Sequence, residues 1–166
     1  AKEMDLSFPS IMAMGMVSFL LTYKYTTGLA SVPVRVFISF IAALIAGVLI
    51  GWLNGVIVVK FGIPSLVATI GTQFFWRGAV LVLSQGQSGT LLYVKESFLY
   101  PLFVGKIGGY FPMQMIWLIL ITILGWIFLN RHKFGAHVYL IGDNIESAKL
   151  MGINTGRVRI QTFMLV

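Results

Sequence analysis

The residues able to carry chemistry are few, and their spacing does not assemble a reaction centre. His132 and His137 stand five apart beside Arg131 and Lys133, with no carboxylate at ligand spacing, so a metal site is not expected. The chain has five acidic residues and no cysteine, which removes disulfides, thiolate catalysis and thiolate metal ligation. Asp143 and Glu146 are three apart and read as a capping box better than as a general acid and base. No GxxxxGK[ST] phosphate loop occurs, so the chain is expected to bind no ATP of its own in that way. No enzyme is expected.

A second set of polar residues lies inside apolar sequence. Thr69, Thr72, Gln73, Trp76 and Arg77 follow Pro64 closely, and spacings of three and four place Thr69, Gln73, Trp76 and Arg77 on one side of a helix. Arg77 would lie about 20 Å along that helix from Pro64. Facing lipid there would cost about 2.5–3.5 kcal/mol, so it should face protein or water. Two readings stand: Asn54, Thr69, Thr72, Gln73 and Arg77 line a substrate path, or Asn54 makes an interhelical hydrogen bond and Arg77 snorkels or binds carbonyls near Gly78.

The elements that position these groups follow from composition. Hydrophobic residues make up 58% of the 166 and charged residues 10%, against about a quarter charged in soluble domains. The expectation is an all-α, polytopic transmembrane bundle forming one domain over 1–166. Its helices fall near 8–22, 36–59, 63–83 and 112–129, and another starts at 157–166. Because that last apolar run has only begun, the chain reads as a fragment of a longer membrane protein. Asp5 and Ser7 are placed to cap the first helix. Along Val36 to Val59, Ala43, Gly47, Gly51 and Gly55 recur every four residues, a stripe that admits close approach of another helix. Lys60 to Pro64 is a turn tight enough to send the next helix back beside the previous one, with Pro64 at its first helical position. Ser84 to Phe111 is a glycine-rich loop carrying Tyr93, Phe98, Tyr100, Phe103 and Tyr110, expected in the interface or folded partly back onto the protein.

The interval 130–156 is the long polar connection. Asp143 and Glu146 start, and Gly152 stops, a helix of roughly two turns. Asn154 or Thr155 then caps the next helix, which opens with Arg157 and Arg159. Placing this loop inside assigns Lys2, Lys60, Arg131, Lys133, Lys149, Arg157 and Arg159 to the cytoplasm, against Lys24, Arg35, Lys95 and Lys106 outside. The net charge of +7 is spread singly beside apolar runs, which suits lipid headgroups and not nucleic acid.

Three stretches resemble the membrane permease subunits of bacterial sugar ABC importers of the ribose, xylose and galactose kind. Glu3-Met4-Asp5-Leu6-Ser7 is similar to that family's segment at the start of a core helix. Gly51-Trp52-Leu53-Asn54-Gly55, Gly62-Ile63-Pro64-Ser65, Thr69-Ile70-Gly71-Thr72 and Arg77-Gly78 resemble its next run. Phe134-Gly135, Ile141-Gly142-Asp143-Asn144 and Ala148-Lys149-Leu150-Met151-Gly152-Ile153 resemble its loop. Pro9, Asp143 and Ser147 depart from the pattern, which puts the detailed capping in doubt. The resemblance covers roughly the middle half of such a permease. It implies a multi-pass protein of the bacterial cytoplasmic membrane that moves a sugar or similar small polar solute by alternating access. Asp143, Asn144, Ile145, Glu146, Ala148, Lys149, Leu150, Met151 and Gly152 would form the coupling helix that enters a separate cytoplasmic ATP-binding subunit. An extracytoplasmic solute-binding protein and a second permease copy or paralogue are the other implied partners. A nucleoside or branched-chain amino acid permease is the neighbouring reading, and a non-transporting membrane scaffold or channel the distant one.

Overall fold

The computed structural model describes residues 2–87, 89, 92–97 and 99–165; Phe98 and the side chain of Tyr93 lie outside what is described. The helices are α1 (Phe8–Tyr25), α2 (Val32–Lys60), α3 (Ser65–Ser84), α4 (Leu99–Val104), α5 (Met113–Arg131), α6 (Lys133–Asp143), α7 (Ile145–Leu150) and α8 (Thr155–Leu165). A 3₁₀ turn spans Leu92–Glu96, and a two-residue hairpin pairs β1 (Lys106–Ile107) with β2 (Phe111–Pro112). Among the described residues three helices, α2, α3 and α5, are long and apolar enough to cross a membrane.

α2 is the axis of the packing. It starts at Val32 instead of Val36, because Ser31 is extended and Pro33 suits a first turn, where its missing N–H is no loss. Its small-residue stripe is shared by two neighbours. At one end a Cβ on Gly47 would lie 3.7 Å from Ile11, and one on Gly15 the same distance from the Ala43 carbonyl, so α1 fits there. At the other end α8 closes in: a Cβ on Gly51 would strike the Phe163 carbonyl, and one on Gly55 would lie 2.8 Å from Ile160 Cα. Only glycine permits backbones this close.

The turn after α2 uses Gly62 at φ +67°. Pro64 is the N-cap and Ser65 the first helical residue, one position later than expected. Nor does α3 run back along α2. The two meet near the turn, where Val58, Ala68 and Phe163 form one buried cluster, and α3 then lies along α1, which packs against both.

The aromatic connection folds back on the protein. Phe103 stacks on Trp117 with centroids 5.2 Å apart and meets Phe40 at 5.4 Å, while the Trp117 Nε1–H donates to the Leu102 carbonyl at 2.8 Å. The polar interval after α5 is more structured than its sequence suggested. His132 is the N-cap of α6, its Nδ1 accepting from the Phe134 N–H at 3.1 Å. A Cβ on Gly135 would collide with the Leu129 backbone, so glycine there allows the sharp α5–α6 corner. Phe134, Val138 and Ile141 recur at helical spacing and close a small core with Ala148, Ile153 and Val158.

Candidate functional site: the coupling-side surface and a polar knot

α7 is short, and its ends are tied by hydrogen bonds. Its N-cap is Asn144 and not Asp143, which is the last residue of α6. Asn144 Oδ1 accepts from the Glu146 and Ser147 N–H groups at 2.9 and 3.1 Å, the N-cap arrangement one residue later than expected. The amide wins because a residue already inside α6 has helical backbone and cannot adopt the extended conformation a cap requires. Glu146 pairs instead with Lys149 at 2.8 Å on an exposed face. At the far end Gly152 has φ +78°. The Ile153 N–H donates to the Ala148 carbonyl at 3.1 Å, and the Gly152 N–H to the Lys149 carbonyl at 2.9 Å. This pair of bonds is a Schellman closure, and Ile153 adds the accompanying apolar contact with the α7 core.

Within this helix the residues divide by direction. Ala148 is 1% exposed and anchors α7 to Ile141 and Val158; it does not belong to the outer surface. Leu150, at 89% exposed, and Met151, at 65%, project outward with Ile145 beside them. Asn154 follows as the cap of α8, its Oδ1 accepting from the Arg157 N–H at 3.0 Å.

The residues expected along a substrate path are not on one surface. Asn54 and Thr69 are 0% exposed. Asn54 Nδ2 donates to Ser7 Oγ at 2.7 Å, and the Thr69 hydroxyl donates to the Ser65 carbonyl at 2.8 Å while accepting from the Leu6 N–H at 3.1 Å. Thr72 Oγ1 donates to the Thr69 carbonyl at 3.3 Å, and the Gln73 main-chain carbonyl accepts from Ser10 Oγ at 2.8 Å. The Thr72 and Gln73 side chains are half-buried and Arg77 is exposed. Eight helical residues separate Thr69 from Arg77 and turn the latter about 80° away, which is why the two ends of the stripe look in different directions.

Sequence reasoning missed what binds Asn54 and Thr69, the strap Glu3–Ser7 that precedes α1. Ser7 stands at the N-cap of α1 but makes no capping bond with its side chain. Its N–H and hydroxyl both donate to Asp5 Oδ1, at 2.7 and 2.6 Å, and the hydroxyl oxygen receives Asn54. Ser65 Oγ accepts from the Met4 N–H at 3.1 Å, and Glu3 accepts from Arg159 of α8 at 2.6 Å. The signal available was the density of small hydroxyl and carboxyl side chains in EMDLS, which a purely local reading assigns to capping. At the opposite end of the bundle a cleft of about 620 Å³ is lined by Leu20, Tyr23, Lys24, Arg35 and Gln85 among others. Arg35 is held in it by the Tyr23 carbonyl at 2.6 Å and Thr27 Oγ1 at 2.7 Å, with its guanidinium 4.0 Å over the Tyr23 ring.

The arrangement is a helical bundle with apolar spans, one end of which bears a short helix capped at both ends. The chain belongs to the family described as the branched-chain amino acid transport system / permease component, which matches residues 1–166. It is 32% identical over 166 residues to the autoinducer 2 import system permease protein of Escherichia coli, covering 99% of this chain and 45% of that protein. It is 34% identical over 154 residues to the protein of the same name in Salmonella typhimurium, covering 91% of this chain and 41% of that protein. The chain thus spans less than half the length of the curated relatives it matches. No solved structure matches it.

Proposed function

We propose that this chain is the portion of an ABC importer permease that carries the coupling loop, and that the whole protein moves a sugar or similar small polar solute across the bacterial cytoplasmic membrane. The observation that carries this reading is α7: a two-turn helix fixed at both ends, anchored inward by Ala148 and presenting Leu150 and Met151 outward between two bundle elements. Such a helix has no buried cleft for chemistry and is suited to pushing on, or being pushed by, a partner. The partner is a cytoplasmic ATP-binding subunit, which supplies the nucleotide; a solute-binding protein delivers solute on the other side, and a second permease copy or paralogue completes the pathway. Thr72, Gln73 and Arg77 are retained as candidate path residues of α3, with Asn54 and Thr69 supporting them from within.

The relatives are named for import of autoinducer 2 and the family for branched-chain amino acids, and these chemistries differ. A polar solute is favoured by the hydroxyl and amide groups of α3. Ligand binding by the cognate solute-binding protein decides between them: selective retention of leucine over sugars and sugar-like solutes would reverse the assignment.

The coupling role is tested with single cysteines at Ile145, Leu150 and Met151 in the full-length permease expressed with its ATP-binding subunit. Crosslinks from Leu150 and Met151 are expected, with none from Leu124 on α5. If none of the three positions yields a crosslink while the complex stays assembled, the coupling reading is wrong.

A further inference from the structure

Within five residues the strap meets three helices. Glu3 Oε1 accepts from the Arg159 Nε–H at 2.6 Å and lies 2.6 Å from Nη2 in an ion pair, and the two side chains are only 12% and 23% exposed. The Met4 and Leu6 N–H groups reach Ser65 and Thr69 of α3, and Ser7 holds Asn54 of α2. Lys2 borders a small recess with Val138, Tyr139 and Asp143 of α6, so the strap also passes the element that precedes α7. An ion pair this sheltered is costly to break on one side, because the surviving charge stays buried without a partner.

What the strap is tied to matters. α8 is continuous with α7 through the Gly152 closure, the Asn154 cap and the Ala148–Val158 contact. Its other side is seated on the backbone of Gly51 and Gly55. A displacement of α7 is therefore carried into α8 and cannot be absorbed by side-chain repacking at α2. α3, which bears Thr72, Gln73 and Arg77, takes its polar contacts at this end of the bundle from the strap.

We infer that Glu3 and Arg159 are positioning residues for energy coupling: they fasten α8, the helix directly after α7, to the strap and through it to α3, so that movement at the ATP-binding subunit reaches the candidate path. This rests on α7 being the docking helix. Coupling between distant sites requires an element with two arrangements that both sites bias, so the measurement must follow a movement and not stability alone.

These 166 residues contain no cysteine, and any cysteine elsewhere in the full-length protein is first replaced by serine. In the full-length permease, assembled with its ATP-binding subunit in lipid nanodiscs, spin labels at Val82→Cys on α3 and Leu124→Cys on α5 report the separation of two exposed sites. Addition of ATP and vanadate is expected to change that separation in the otherwise native protein. Arg159→Gln and Glu3→Gln are each expected to abolish the change while the Leu150 crosslink and ATP hydrolysis persist; Arg159→Lys, which keeps the pair, is expected to retain it. The inference is overturned if both neutral variants still move, if Arg159→Lys fails to move although assembled, or if the neutral variants lose the crosslink together with the movement, since that describes a structural brace only. If the native protein neither moves nor crosslinks through α7, the docking role itself falls and this inference with it, a result separable from the others by the native control.

Discussion

α2 and α5 are both apolar helices fit to cross a membrane, yet within this chain they pack in opposite ways. α2 buries Val36, Ser39, Ile50, Gly51, Asn54, Gly55 and Val58 and receives two neighbours along one stripe. α5 buries nothing: Leu118, Ile121 and Trp126 are more than half exposed, and a Cβ on Gly125 would meet nothing within 4 Å. Thr122 and Asn130 of α5 turn back on their own helix, to the Leu118 and Trp126 carbonyls, whereas Asn54 reaches across to another element. Hydrophobicity therefore places a helix in lipid, and small residues with shared hydrogen bonds decide which helices pack, because lipid is as apolar as leucine and supplies no drive to bury more of it.

The largest expected effect tests that division directly. Gly51→Leu or Gly55→Leu forces α8 off α2, since the obstructing atoms are backbone of Phe163 and Ile160 and cannot rotate away. A loss of about 3 kcal/mol is expected from overpacking with backbone displacement, read as a large fall in thermal midpoint of the full-length protein in detergent. Gly125→Leu on α5 is expected to cost nothing, or to stabilise by up to about 1 kcal/mol through the gain in helix propensity. Equal effects at the two sites would break the comparison. Next comes Asn54→Leu, which leaves Ser7 without its donor in a buried site and is expected to cost about 1–3 kcal/mol; Asn130→Leu, exposed on α5, should cost a small fraction of that in the same assay.

How much of this was legible beforehand follows the same line. The spans of α2, α3 and α5 could be read because apolar length is a local property, and the Gly51/Gly55 stripe because its period is. α6 was overlooked: Gly135 and Gly142 dilute its helical signal, although Phe134, Val138 and Ile141 carried the period. The capping residue of α7 was misplaced by one because Asp143 and Asn144 both have the chemistry, and only the extent of α6 chooses between them. The strap could not be read, since Glu3 and Arg159 are 156 residues apart and nothing local to either names the other. Which of Thr72, Gln73 and Arg77 faces solute is a question about surfaces between helices, and a helical period alone does not answer it.

A smaller effect should change sign between the two helices. Gly125 sits in a helix interior with open space around it, so Gly125→Ala relieves backbone entropy and is expected to stabilise by about 0.5–1 kcal/mol. The same change at Gly51 places a methyl group against the Phe163 carbonyl and should destabilise. Opposite shifts in the thermal midpoint would sharpen the comparison from packed against unpacked to a statement about one stripe of one helix; shifts of the same sign would show that α5 is held by something its exposed faces do not reveal.

The smallest effect belongs to the pair Glu146 and Lys149, whose side chains are 77% and 53% exposed. Exposed pairs three residues apart contribute below about 0.5 kcal/mol and weaken with salt. Lys149→Ala is therefore expected to leave the thermal midpoint unchanged within error at ordinary ionic strength, in contrast to loss of a partner from the sheltered pair of Glu3 and Arg159. The contrast extends the α2 and α5 lesson to charges: two ion pairs, at 2.8 and 2.6 Å, differ in consequence because one is largely shielded from water between the strap and α8 and the other is not. A drop for Lys149→Ala as large as that for Arg159→Gln would mean that burial does not set the scale here, and that α7 is stabilised from its own surface instead of through Ala148.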